Sequence, residues 1–124
     1  MNEKLEGKKL FAYDPIGLIV DLKIIDLVQG NGEVAQQDST ITAHYTGALA
    51  NSGVIFQSSH DVGQPAIFGL NQVISGWTKG VPGIRVGGKR RLLIPSGMAY
   101  GSRSIGNIPP NSDLVFDIEL VAVK

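Results

Sequence analysis

Leu114-Val115-Phe116-Asp117-Ile118-Glu119-Leu120-Val121 sets Leu114, Phe116, Ile118 and Leu120 against Val115, Asp117, Glu119 and Val121. Side chains alternate faces along a strand, so this period of two predicts a central or near-central antiparallel strand. Upstream, Lys89 to Ile94 is strand-like until Pro95, after a turn or bulge at Gly87-Gly88. Ile41, Ala43 and Tyr45 alternate with Thr42, His44 and Thr46, which puts Tyr45 on the Ile41 face and His44 on the other. The Asn51-Ser52-Gly53 turn leads into a strand from Val54 to Ser59, with Phe56 and Gln57 on opposite sides, and a short apolar strand ends at Phe68. Asp21 to Val28 mixes apolar and polar residues up to the Gly30-Asn31-Gly32 turn and is also strand-like. Between Asn71 and Val81, the residues Val73, Ile74, Trp77 and Val81 gather on one side of a short helix, with Asn71 as its N-cap. About five strands and one helix predict an α+β domain, an antiparallel sheet curved over that helix.

The chain has 124 residues, no cysteine, and eleven basic against eleven acidic side chains. This is enough for one domain that folds without staples, and it excludes disulfides, thiolate chemistry and cysteine-bound metal. Lys89-Arg90-Arg91 is too short a cluster to argue for nucleic acid and is read as a solvated strand end. No apolar run approaches a membrane helix, since Leu18-Ile19-Val20 is broken by Asp21 and Lys23. Residues 1–20 read as an N-terminal arm and residues 21–124 as the domain. The polar start from Met1 to Lys9 lacks the apolar centre of a secretory signal, so the expected location is cytoplasmic, or extracytoplasmic if a leader was removed. The expected state is a monomer.

Candidate chemical constellations read as structural ones. Ser58-Ser59-His60-Asp61 contains triad letters, but consecutive residues point in different directions and read as a polar loop. His44 and His60 lack spaced metal partners and read as solvated, while Gly83 to Gly88 lacks a phosphate-loop spacing. Asp117 and Glu119 share the polar face of their strand and read as surface charges. No cofactor or metal is called for. What stands out is an apolar and aromatic set drawn from separate segments: Tyr45, Phe56, Phe68, Val73, Ile74, Trp77, Tyr100, Ile108 and Phe116. Several adjoin Gly47, Gly76, Gly101 or Pro109-Pro110, at strand ends and loop edges where sites form. Core packing accounts for any one of them alone. Two tyrosines facing one apolar region offer hydroxyls that need a partner.

These residues fall into ordered motifs: Ala43-His44-Tyr45-Thr46-Gly47, Phe56-Gln57-Ser58-Ser59, Val73-Ile74-Ser75-Gly76-Trp77, Val86-Gly87-Gly88-Lys89-Arg90, Ala99-Tyr100-Gly101, Ile108-Pro109-Pro110, and Leu114 to Leu120. From about Leu22 to Val123 the chain resembles the FKBP-type peptidyl-prolyl cis-trans isomerases, the macrolide-binding immunophilins. The resemblance implies a five- to six-stranded antiparallel half-barrel round the helix that carries Ile74 and Trp77. It also implies a proline pocket with Trp77 as floor and Tyr45, Phe56, Val73, Ile74 and Phe116 as walls. Tyr100 and the Ile74 backbone N–H would each donate to a ligand carbonyl.

On this resemblance Tyr45, Phe56, Gln57, Trp77, Tyr100 and Phe116 form the expected isomerising centre, and Phe68, Val73, Ile74 and Ile108 the expected substrate contacts. The implied function is rotation about X-Pro bonds in client proteins during folding. The alternative is a proline-segment binding module or chaperone with weakened turnover. Three departures stand out: Gln57 replaces a common aspartate, Ala66 replaces a larger aromatic, and the Ser102 to Asn107 loop is short. They imply reduced affinity for macrolide inhibitors. No large insertion marks an added flap domain.

Overall fold

The computed structural model describes residues 4–124, so the first three residues of the expected arm lie outside the described residues. Among the described residues, six strands form one antiparallel open sheet: β1 (Lys23–Val28), β2 (Thr40–Leu49), β3 (Ile55–Ser58), β4 (Ala66–Gly69), β5 (Lys89–Ile94) and β6 (Leu114–Val123). The order across the sheet is β1-β5-β6-β2-β3, with β4 also paired to β2. The alternating C-terminal run is thus the middle strand. β2 carries β4 beside Thr40 to Ala43 and β3 beside Thr46 to Ala48, one after the other on the same edge.

The helix α1 spans only Ser75–Gly80, and Ile74 rather than Asn71 occupies its cap position, without a side-chain cap bond. Its glycines explain both its shortness and its place. A Cβ on Gly76 would lie 2.6 Å from Ile94 Cγ2, and one on Gly80 would lie 2.8 Å from Leu92 Cδ2. One turn apart, these two glycines let the helix backbone lie directly on β5. Glycine is a poor helix former, so α1 is held by packing rather than by propensity. Around it, Ile41, Leu70, Val81, Leu92, Ile94, Leu114 and Ile118 form the fully enclosed centre of the core.

The opposite face of the sheet is covered by the arm. Leu10 and Ile19 are buried with Ala48, Ala50, Ile55, Leu93 and Val115 in a second apolar cluster. The Gly7 N–H donates to Ile55 O at 2.8 Å, the Ile55 N–H to Lys8 O at 2.8 Å, and the Leu10 N–H to Gly53 O at 2.8 Å. Residues 7 to 10 therefore run along the outer edge of β3 and satisfy backbone groups that an edge strand would leave open.

Burial on both faces of the sheet corrects two expectations about charge. Asp117 is not a surface charge, and the basic cluster is not a solvated strand end: Arg90, Arg91 and Asp117 are each only 8 % exposed. Arg91 meets Asp117 with both ends of its fork, at 2.6 and 2.8 Å, and donates to Ala12 O at 2.7 Å and Phe11 O at 2.9 Å. The paired carboxylate, first through its hydrogen bond, raises the Arg91 pKa. Arg90 binds Asp26 at 2.6 Å and the Gly80 and Pro82 carbonyls at 2.9 and 3.2 Å, closing the C-terminal end of α1. Glu119 stays partly exposed, between His60 at 3.2 Å and Lys89 at 3.8 Å.

Candidate functional site

A cleft of about 390 Å³ opens over α1, lined by Tyr45, Phe56, Gln57, Phe68, Gln72, Val73, Ile74, Trp77, Tyr100 and Phe116. Trp77, in the first turn of α1, is its buried hub. Its ring centroid lies 4.9 Å from Phe68, 5.4 Å from Phe116 and 5.8 Å from Tyr45, each edge to face. Tyr45 meets Phe68 at 5.5 Å, and Phe56 meets Phe116 at 5.7 Å and 87°. Aromatic rings prefer this edge-to-face arrangement, which fixes the walls without filling the space between them.

Phe56 and Gln57 both border the cleft, which strict alternation would forbid. In the β2–β3 ladder Gly47 pairs with Gln57 while Ala48 pairs with Ile55, leaving Phe56 as an extra residue in a β-bulge. A bulge re-aims side chains at the end of a strand. Gly47 opposite is necessary to it. A Cβ there would lie 2.6 Å from both Phe56 Cζ and Phe116 Cε1.

The polar groups of the cleft are few. Burial, and then the neighbouring Tyr100, push the Tyr45 phenol above its ordinary value, so it stays protonated through the neutral range. The Trp77 indole Nε1 is buried with no hydrogen-bond partner among the described residues. The Ile74 N–H, at the start of α1, donates to no acceptor among the described residues, while the Ile74 carbonyl accepts from Trp77 N–H at 3.0 Å. Among the described residues, no Asp, Glu, Lys or Arg lines the cleft.

Of the ten residues named from sequence, nine meet here. Ile108 does not line this cleft; it is buried and lines a neighbouring one with Phe56, Gln57 and Tyr100. Gln72 is the residue sequence reasoning missed. Because α1 begins at Ser75, residues 71 to 74 are not helical, and the Gln72 N–H closes a turn onto Gly69 O at 2.9 Å at the cleft rim. A helix drawn from Asn71 hides that position. His44 is a further correction: it is half-buried, stacked on His60 at 4.1 Å and 9°, with Nδ1 2.9 Å from Ser59 Oγ.

Residues 31–121 match the family model described as FKBP-type peptidyl-prolyl cis-trans isomerase. The chain is 52% identical over 93 residues to the peptidyl-prolyl cis-trans isomerase FPR2 of Saccharomyces cerevisiae, an alignment covering 73% of this chain and 69% of that protein. It is 46% identical over 107 residues to an FK506-binding protein of Streptomyces anulatus, covering 83% and 86%. The crystal structure of FkpA from Escherichia coli matches with a TM-score of 0.77 and 43% identity, over 83% of this chain and 48% of that one. The chain thus spans about half the length of that structure.

Proposed function

Because the chain belongs to the family of FKBP-type peptidyl-prolyl cis-trans isomerases, enzymes that turn X-Pro peptide bonds, we propose that the aromatic cleft over α1 is where it does so. The observation that carries this is the joining of Tyr45, Phe56, Trp77 and Phe116, from four separate elements, around an open apolar space lined also by Ile74 and Tyr100.

Rotation of a planar amide is opposed by about 18–20 kcal/mol because conjugation is lost at the twisted top of the barrier. The twisted carbonyl carries less negative charge than the planar one. An apolar cleft that sheds its water when the peptide binds raises the planar form relative to the twisted one. Trp77, Phe56 and Phe116 hold the pyrrolidine ring, and the Ile74 N–H and Tyr100 hydroxyl take the flanking carbonyls. The turning carbonyl rests against Tyr45 and Phe116. The chemistry uses binding and desolvation; no proton moves and no covalent intermediate forms.

Exchange NMR on a short X-Pro peptide tests this. The protein accelerates the cis-trans interconversion, and Trp77→Ala or Phe116→Ala slows turnover sharply while the spectrum remains that of a folded sheet. Full turnover in such folded variants removes the assignment, and line shifts without exchange would mark a binding module. Client proteins, a role in folding or as a chaperone, and macrolide binding at the same cleft extend this proposal. Gln57→Asp adds a carboxylate at the rim and strengthens macrolide affinity; equal affinity by titration calorimetry would show that the missing charge is not limiting.

A further inference from the structure

A second cleft of about 290 Å³ adjoins the aromatic one, sharing Phe56, Gln57 and Tyr100 with it and completed by Glu6, Ile105, Gly106, Asn107 and Ile108. Glu6 comes from the arm, outside the stretch that matches the family model. Its place is built by specific bonds. Asp61 accepts the Leu5 N–H at 2.7 Å and the Glu6 N–H at 3.0 Å, and the Gly7 N–H is tied to Ile55 O. Asn107 Nδ2 donates to Glu6 Oε2 at 3.2 Å, so the carboxylate is held across the mouth from the Ile105–Ile108 turn. Among the described residues, Glu6 is the one carboxylate lining either cleft, and no lysine or arginine lines either.

Resting on the isomerase reading of the first cleft, we propose that the second is a subsite for a lysine or arginine side chain of the substrate, near the proline. The walls suit such a side chain in two parts. Phe56, Tyr100, Ile105 and Ile108 take its aliphatic stem, while Glu6, assisted by the Gln57 and Asn107 amide oxygens, takes the charged head. An aspartate or glutamate at the same substrate position meets a like charge. The arm therefore adds to the cleft a preference that the aromatic walls, which recognise only the ring and its backbone, do not supply.

The test is a set of X-Pro peptides in which each position flanking the proline is in turn lysine, norleucine or glutamate, with turnover by exchange NMR and Kd from the same titration. At one flanking position or more, lysine exceeds norleucine in kcat/KM by about twofold to fivefold at low salt, the range of a solvent-exposed ion pair, and glutamate falls below it. The advantage fades as salt shortens the screening length, vanishes in Glu6→Gln and inverts in Glu6→Lys. No lysine advantage at any position, or one that survives Glu6→Gln, overturns the subsite. The norleucine peptide is the internal reference: its turnover tests the isomerase reading by itself. Should it not be turned over, the lysine-to-norleucine ratio of Kd values in the two proteins still decides the subsite.

Discussion

Ser59 Oγ holds both backbone groups of Tyr45, accepting its N–H at 2.8 Å and donating to its carbonyl at 3.3 Å. Tyr45 sits where β2 passes from its partner β4 to its partner β3, so among the described residues no strand pairs with it on that edge. A hydroxyl thus replaces a strand neighbour at the wall of the cleft, and the His44 ring shares the same oxygen from the other face of β2.

Ser59→Ala leaves the Tyr45 N–H without its acceptor in a part-buried stretch of β2. A loss of about 1–3 kcal/mol is expected, the cost of an unsatisfied buried donor. Urea unfolding measures it. An unchanged midpoint at an unchanged slope would show that the strand does not depend on this hydroxyl.

Gly47→Ala places a methyl within 2.6 Å of the Phe56 and Phe116 rings. Overpacking of this kind costs about 1–3 kcal/mol. Because both rings are cleft walls, turnover falls further than stability does, on the order of tenfold or more for a displacement near 1 Å. Full turnover in a folded Gly47→Ala protein would mean that the bulge at Phe56 does not set the cleft.

Arg91→Ala strands the buried Asp117 carboxylate and releases the Phe11 and Ala12 carbonyls. Breaking one partner of a buried pair costs about 3–5 kcal/mol. Replacing both members, Arg91→Met with Asp117→Leu, recovers part of it. A single variant as stable as the parent in thermal unfolding would show that the pair is not desolvated.

The hydrogen bond from the Leu5 N–H, chiefly, and that from the Glu6 N–H hold the Asp61 carboxyl below its ordinary 3.8. A folded value that is depressed means that this anchoring is complete above 3.8 and is lost as pH falls through the lower folded value. Leu5 and Glu6 amide signals therefore shift upon acidification while the sheet signals persist, and Asp61→Asn abolishes the transition. Amide shifts that are flat to the acid limit of folding would rule out Asp61 as the anchor. Asp61→Asn also weakens the lysine preference proposed for the second cleft, since Glu6 loses its tether.

Much of the fold is legible along the chain because strand alternation is a local property. The run from Leu114 to Val121 names its own two faces, and the aromatic residues of the cleft are the large apolar groups that stand beside turns. Their ordered motifs also carry the family. Other features depend on what arrives from far away. Asp117 lies on the face that alternation marks as wet, and it is the arm, folded back over that face, that dries it. Phe56 and Gln57 share a cleft because β3 bulges against Gly47. Residues 71 to 74 stay outside the helix, in a turn and bend, because Gly76 and Gly80 begin the helix only where its backbone can touch Ile94 and Leu92.

By itself the sequence determined the strands and the near-central place of β6, since period and residue type report how each short segment meets water, while its ordered motifs carried the family and, with it, Gln57 among the nine named residues that line the cleft. Only the tertiary structure decided which charges are buried, where the helix starts and that Glu6 stands beside the site. Each of these depends on contacts between segments tens of residues apart, and no local pattern records which distant surface will exclude the water.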